Sequence, residues 1–256
     1  MPEVDTISEN YYKPLERAES VAGWLFWAVS VLSIAALLVD RAAYPAAYDA
    51  IQIGFVVCVL LFFALGQVQK LYFFPRAEDA RRRELLQNSF DVALTNEQTV
   101  GYYNNDQTNP LKRLAASTME SAYFTSNISR KMLVGQRATT VGYVCLYLMA
   151  ILYRSTDLEV LAVLAQVLFS EDILWRWIKL EWLRNRSEKV FDSLNAMFVA
   201  KPAFSRPVAQ SQALDLFSFY ESTKSTAAIL LSSRLFHKHN SELTSKWEQI
   251  CQKLGL

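Results

Sequence analysis

Two uncharged runs of nineteen residues dominate the pattern of apolar and polar positions, Val21–Val39 and Ile51–Gln69. A helix of that length rises about 28 Å, close to the ~30 Å hydrocarbon thickness of a bilayer. Eleven residues, Asp40–Ala50, join the runs, so the pattern predicts a transmembrane helical hairpin. Trp24 and Trp27 lie near the start of the first run, where an interfacial aromatic belt belongs, and Tyr44, Pro45 and Tyr48 occupy the connection. The second helix is expected to run from near Ala50 to Phe74, with Pro75 as its stop.

A long polar excursion follows, 76–137. Glu78–Leu94 has helical spacing, with Leu85, Leu86, Phe90 and Leu94 along one side. A loop, Thr95–Pro110, carries GYYNNDQTNP. Leu111–Leu133 is a second helical segment with Leu114, Ala115, Met119, Ala122, Tyr123 and Met132 on its apolar side. Ala138–Tyr153 is a third uncharged run of sixteen residues, which Val134 and Gly135 extend. The fourth run, Val160–Ser170, has eleven uncharged residues before Glu171 and Asp172, and Trp175, Trp177 and Trp182 then mark an interface. A span from Glu159 to about Ile178 places Glu171, Asp172 and Arg176 in its last third. No Gly or Pro lies between Arg154 and Lys201, so this helix is free to continue towards Phe198. Gln212–Phe236 and Ser241–Leu254 read as two more helices. No sustained alternation predicts a sheet. The expected fold is an all-α membrane protein with four transmembrane helices as two hairpins, a helical cytoplasmic loop between spans two and three, and a helical cytoplasmic C-terminal region. The divisions are 1–20, 21–74, 75–137, 138–180 and 181–256.

Charge orients this layout. Of the 26 Lys and Arg residues, two lie in the N-terminal tail, one in each short connection, ten from Lys70 to Arg137, and twelve from Arg176 onward. By the positive-inside rule the long loop, the C-terminal region and both termini face the cytoplasm, in a multi-pass membrane protein. The N-terminal tail, with five acids and two bases before a run too long for an h-region, is not expected to be a signal peptide. Charged residues make up 20% of the chain, which fits a protein part in and part out of the membrane. Net charge is +1, so total charge does not point to a DNA or RNA polymer.

Two groups of residues carry candidate chemistry. Arg81, Arg82, Arg83, Lys112 and Arg113 can hold phosphates, Tyr102 and Tyr103 can stack on a base, and Asn104 and Asn105 can hydrogen-bond its edge. The same arginines beside a membrane can instead rest on anionic lipid. In the fourth span, Gln166 and Ser170 share a face, and Asp172 and Arg176 are four apart and can pair. With Glu171 they read as a polar pore lining, or as headgroup-level charges if the helix tilts. Cys58, Cys145 and Cys251 have no metal-ligand spacing, and neither do His237 and His239. Without a nucleophile elbow, Walker loop, GxGxxG or HExxH, the sequence points to no enzyme, metal or cofactor.

The segments AEDARRRELLQNSFDVAL, VGYYNNDQTNPLKRLAAS and ESAYFTSNISRKML, set between two hairpins, resemble the cytoplasmic loop of the SMODS-associating four-transmembrane effectors of bacterial nucleotide-signalling antiviral systems. The resemblance covers roughly residues 10–235 and lies in the layout, the arginine-rich helix, the Gly-Tyr-Tyr-Asn loop and the Glu-Ser helix that follows. It implies a homo-oligomeric effector that binds a cyclic nucleotide made by a partner synthase, then permeabilises the inner membrane. Other readings of the same pattern are a constitutive ion channel or transporter subunit, and a membrane scaffold that recruits a partner through its C-terminal helices.

Overall fold

The computed structural model describes residues 4–97, 99–100, 105, 107–153, 158–168 and 171–256. Nearly all of them are helical. The elements are β1 (Val4–Asp5), α1 (Lys13–Leu38), α2 (Pro45–Val68), α3 (Phe74–Phe90), β2 (Thr99–Val100), α4 (Pro110–Leu152), α5 (Leu158–Leu168), α6 (Arg176–Val199), α7 (Pro207–Ala227) and α8 (Ser233–Leu254). The short β1 and β2 pair antiparallel, Val4 with Val100 and Asp5 with Thr99, a small ladder where no sheet was expected.

The chain has an apolar half and a polar half. Among the described residues two helices are long and apolar enough to cross a membrane, Ser8–Leu38 and Pro45–Phe90. Their apolar side chains face outward: Trp24 is 76% exposed and Leu38 79%. Exposing such side chains to water costs free energy that exposure to lipid does not, so these two helices point to association with a membrane. The third and fourth expected spans look different. Residues 138–152 are the end of the 43-residue α4, which begins in the polar half. The 11 residues of α5 rise only about 16 Å, roughly half a hydrocarbon core. Among the described residues the fourth expected span is therefore not one uninterrupted α-helix.

The polar half is a bundle built on the first part of α4. Ala115, Ala116 and Ala122 let other helices approach α4 closely. Val190, Leu194, Met197 and Phe198 of α6, Ala209, Ala213 and Tyr220 of α7, and Leu243 and Trp247 of α8 complete its core. Tyr123 of α4 lies 5.9 Å from the ring of Trp247. A smaller cluster, Leu15, Phe74 and Ala77, lies where α1 and α3 meet, with Ala228 and Leu230 against it.

Local sequence explains the helix ends. Asn109 accepts from the N–H groups of Leu111 and Lys112 and caps α4, with Pro110 in the first turn. Asp91 ends α3 in the left-handed region, and Arg113 donates to the Asn88 carbonyl of its last turn. The expected helix Gln212–Phe236 is broken. Ala228, at φ 47°, ends α7, residues 228–232 are not helical, and Ser232 caps α8 through Leu235 N–H. Helix α8 therefore starts at Ser233, well before Ser241, and folds back on the core. Pro75 does not stop the second helix either. The five residues Gln69–Phe73 form a π-turn, and Pro75 sits in the first turn of α3 beyond it. The π-turn shifts the hydrogen-bond register just before it, with Phe74 N–H donating to the Gln69 carbonyl, and the helix continues past the missing Pro75 donor.

Further π-turns precede α1 (Ser8–Tyr12) and α6 (Glu171–Trp175). Like Gln69–Phe73, both lie at the level where the apolar half gives way to the bundle.

Candidate functional site

The basic side of α3 is the first place to look for a bound anion. Arg81 is largely committed to the fold. Its guanidinium lies 2.7 Å from Asp5 and 3.2 Å from Glu84, over the ring of Tyr12, and is 11% exposed. This anchors the N-terminal segment on α3. Burial pushes the Glu84 carboxyl up to about 7, against the opposing pull of Arg81. Arg82 and Arg83 lie on the outer side, about half exposed, and both pair with Asp79. Such exposed pairs hold little energy, so both guanidinia are free to re-aim at a stronger anion.

Arg113 clamps a corner. It donates to the carbonyls of Gln107 and Asn88 and pairs with Asp91 at 2.9 Å. Asn105 donates to the Arg113 carbonyl and to Ser117, and receives the N–H of Gln107. Lys112 is half-buried in the first turn of α4. Tyr102, Tyr103 and Asn104 lie outside the described residues. Of the nine residues expected to hold a nucleotide, the structure thus leaves Arg82 and Arg83 on an open surface and gives Arg81, Asn105 and Arg113 intramolecular partners.

Beneath α3 is an ionic junction. Tyr12 donates to Glu78 at 2.9 Å, and the other oxygen of Glu78 lies 2.9 Å from the Lys224 ammonium on α7. Lys224 also pairs with Glu221 at 3.0 Å and lies over the ring of Tyr220, whose hydroxyl shares a 2.8 Å hydrogen bond with Thr125 of α4. Burial by itself lowers the affinity of Lys224 for its proton. The two carboxylates outweigh it and raise that affinity well above the ordinary value. Burial likewise raises Glu221, with Lys224 opposing. The junction joins the base of α1, α3, α4 and α7. Apart from the i, i+3 spacing of Glu221 and Lys224, nothing in the sequence marks these residues as neighbours.

At the start of α6, Arg176 reaches Glu19 of α1 at 2.6 Å, a contact 157 residues apart in the chain. Gln136 of α4 donates to the carbonyl of Ile173 inside the π-turn. Ser170 lies outside the described residues, as do the side chains of Gln166, Glu171 and Asp172, so of the five expected pore residues only Arg176 has described contacts. Beside the Arg176–Glu19 pair is a cleft of about 360 Å³ between α1, α6 and the α7–α8 connection. Among the described residues no three His, Cys, Asp or Glu side chains are grouped to hold a metal ion.

No family model, curated protein or solved structure matches this chain.

Proposed function

We propose that this chain is a membrane effector of bacterial antiviral defence, with no catalysis of its own. A cyclic nucleotide bound to its bundle opens or assembles copies of the chain to permeabilise the inner membrane. In this reading four spans form two hairpins, with both termini and the bundle cytoplasmic. The observation that carries the proposal is the junction at Glu78 and Lys224. It ties α3, which runs on from the apolar α2 through a π-turn, to the core of the bundle. A ligand that displaces α3 therefore moves the base of α2. Arg82 and Arg83 supply exposed guanidinia for its phosphates. Only a ligand with higher affinity for the open arrangement shifts the population towards it.

The test is dye release from liposomes carrying the full-length protein, with and without a panel of cyclic di- and trinucleotides. Release with one nucleotide, reduced in Arg82→Ala at unchanged insertion, is the expected result. Release with none added would favour a constitutive channel. An Arg82→Ala variant that responds normally would remove α3 as the ligand surface.

A further inference from the structure

We propose that the cleft between α1, α6 and the α7–α8 connection binds a ligand carrying both a phosphate and a primary amine, the chemistry of an ethanolamine phospholipid headgroup. The lipid source rests on the reading that residues 21–39 lie in a bilayer. Glu16, Glu19 and Ser20, which line the cleft, immediately precede that uncharged run. The cleft thus opens at the height of the headgroups.

Its chemistry has two signs. Arg176 and Arg234 line it together with Glu16 and Glu19. Arg234 is exposed and makes no ion pair among the described residues. Arg176 spends part of its five-donor fork on Glu19, leaving other N–H groups for a second acceptor. Ser233 hydrogen-bonds Glu16. In the same lining, the main-chain N–H of Ser232 donates to the sulfur of Met132 at 3.5 Å. A thioether is a weak acceptor, so a phosphate oxygen would serve this donor better.

This composition selects among ligands. An isolated phosphate meets two arginines but also two carboxylates. An isolated amine meets the reverse. A phosphate and an ammonium two carbons apart offer a partner to both signs at once. A quaternary choline has no N–H to give Glu16 or Glu19, and a glycerol headgroup has no cation. Met132, Leu230 and Leu231 offer the apolar wall along which the first carbons of a lipid can lie. The volume is within the range of small-molecule sites.

The experiment is native mass spectrometry of the full-length protein in detergent. Short-chain phosphatidylethanolamine, phosphatidylcholine and phosphatidylglycerol are added at equal concentration. Retention of the ethanolamine lipid at least ~5-fold above the other two is expected, the size of one added charge-assisted contact. Arg234→Gln should lower retention of the ethanolamine and glycerol lipids alike, and Glu19→Gln should abolish discrimination between them. Arg234, exposed and without an ion pair among the described residues, is the variant least coupled to folding. Equal retention of all three lipids, or retention unchanged in Arg234→Gln, overturns the proposal. Competition by chain-free phosphoethanolamine identifies the source: displacement assigns the site to a soluble amine phosphate, and persistence of the adduct assigns it to the lipid. Alkaline carbonate washing of membranes tests the bilayer reading separately. Protein that resists the wash but shows no preference fails only the cleft proposal.

Discussion

Lys224 of α7 and Glu78 of α3 meet at 2.9 Å, each less than one-fifth exposed, and Glu221 and Tyr12 share the same two charges. The pair is where two helices from distant parts of the chain are locked together. Removing one member leaves the other charge in a poorly solvated place. Lys224→Met should therefore cost about 3 kcal/mol of stability at pH 8. The loss should shrink at pH 5, because unpaired carboxylates escape their penalty by binding protons. Adding Glu78→Gln to Lys224→Met should cost less than the sum of the single changes. Denaturant unfolding of the purified protein reads all three, and additivity would mean that the two side chains do not interact.

Glu120 of α4 gives a cleaner pH dependence. Burial pushes its carboxyl up to about 7, with no cation to oppose it. An acid whose folded-state value lies above its unfolded value of about 4.5 binds its proton more tightly when folded. Its contribution to stability is full below pH 4.5 and is lost as the pH rises through 7. Glu84 acts in the same window. The unfolding midpoint should therefore fall between pH 5 and pH 8. Glu120→Gln should flatten that slope and add about 1–3 kcal/mol at pH 8. An unchanged slope in the variant would show that Glu120 reaches solvent.

The hydrogen bond from Gln136 to the Ile173 carbonyl spans 3.0 Å and ties the uninterrupted α4 to the π-turn before α6. A π-turn displaces one carbonyl from the regular i→i+4 ladder and leaves it open to a side chain. Gln136→Leu should cost about 1 kcal/mol. Hydrogen exchange should quicken in residues 173–180 and stay unchanged in α7 and α8. Faster exchange throughout the bundle would instead mean a general loss of packing.

Ala228 ends α7 at φ 47°, where a Cβ crowds the backbone. Glycine relieves that contact but also frees the unfolded chain, so Ala228→Gly should gain no more than ~1 kcal/mol. Ala228→Val should lose more than that, and thermal unfolding distinguishes the signs.

Much of the helical pattern was legible residue by residue. The two long uncharged runs predict helices that the structure places with their apolar sides outward. The apolar spacing at Leu114, Ala115, Met119, Ala122 and Tyr123 is the buried face of α4. The unbroken stretch before Lys201 runs as helix to Val199 from Arg176. The errors lie where local rules met tertiary demands. Pro75 was a stop by rule, but the π-turn let the chain continue. Ala228 carries no breaker signal, yet α7 ends there because α8 must turn back to seat Leu243 and Trp247 in the core. The arginines were readable as a basic cluster, but not which of them the fold would use.

The sequence by itself determined helix content, the two apolar helices and the asymmetric distribution of charge, because these follow from periodicities of a few residues and from run length. Tertiary structure alone decided the partners: Arg81 with Asp5, Lys224 with Glu78, Arg176 with Glu19, and the cleft beside them. The physical reason is range. Helix periodicity is a property of neighbours in the chain, whereas an ion pair between residues 157 positions apart depends on the packing of every helix between them.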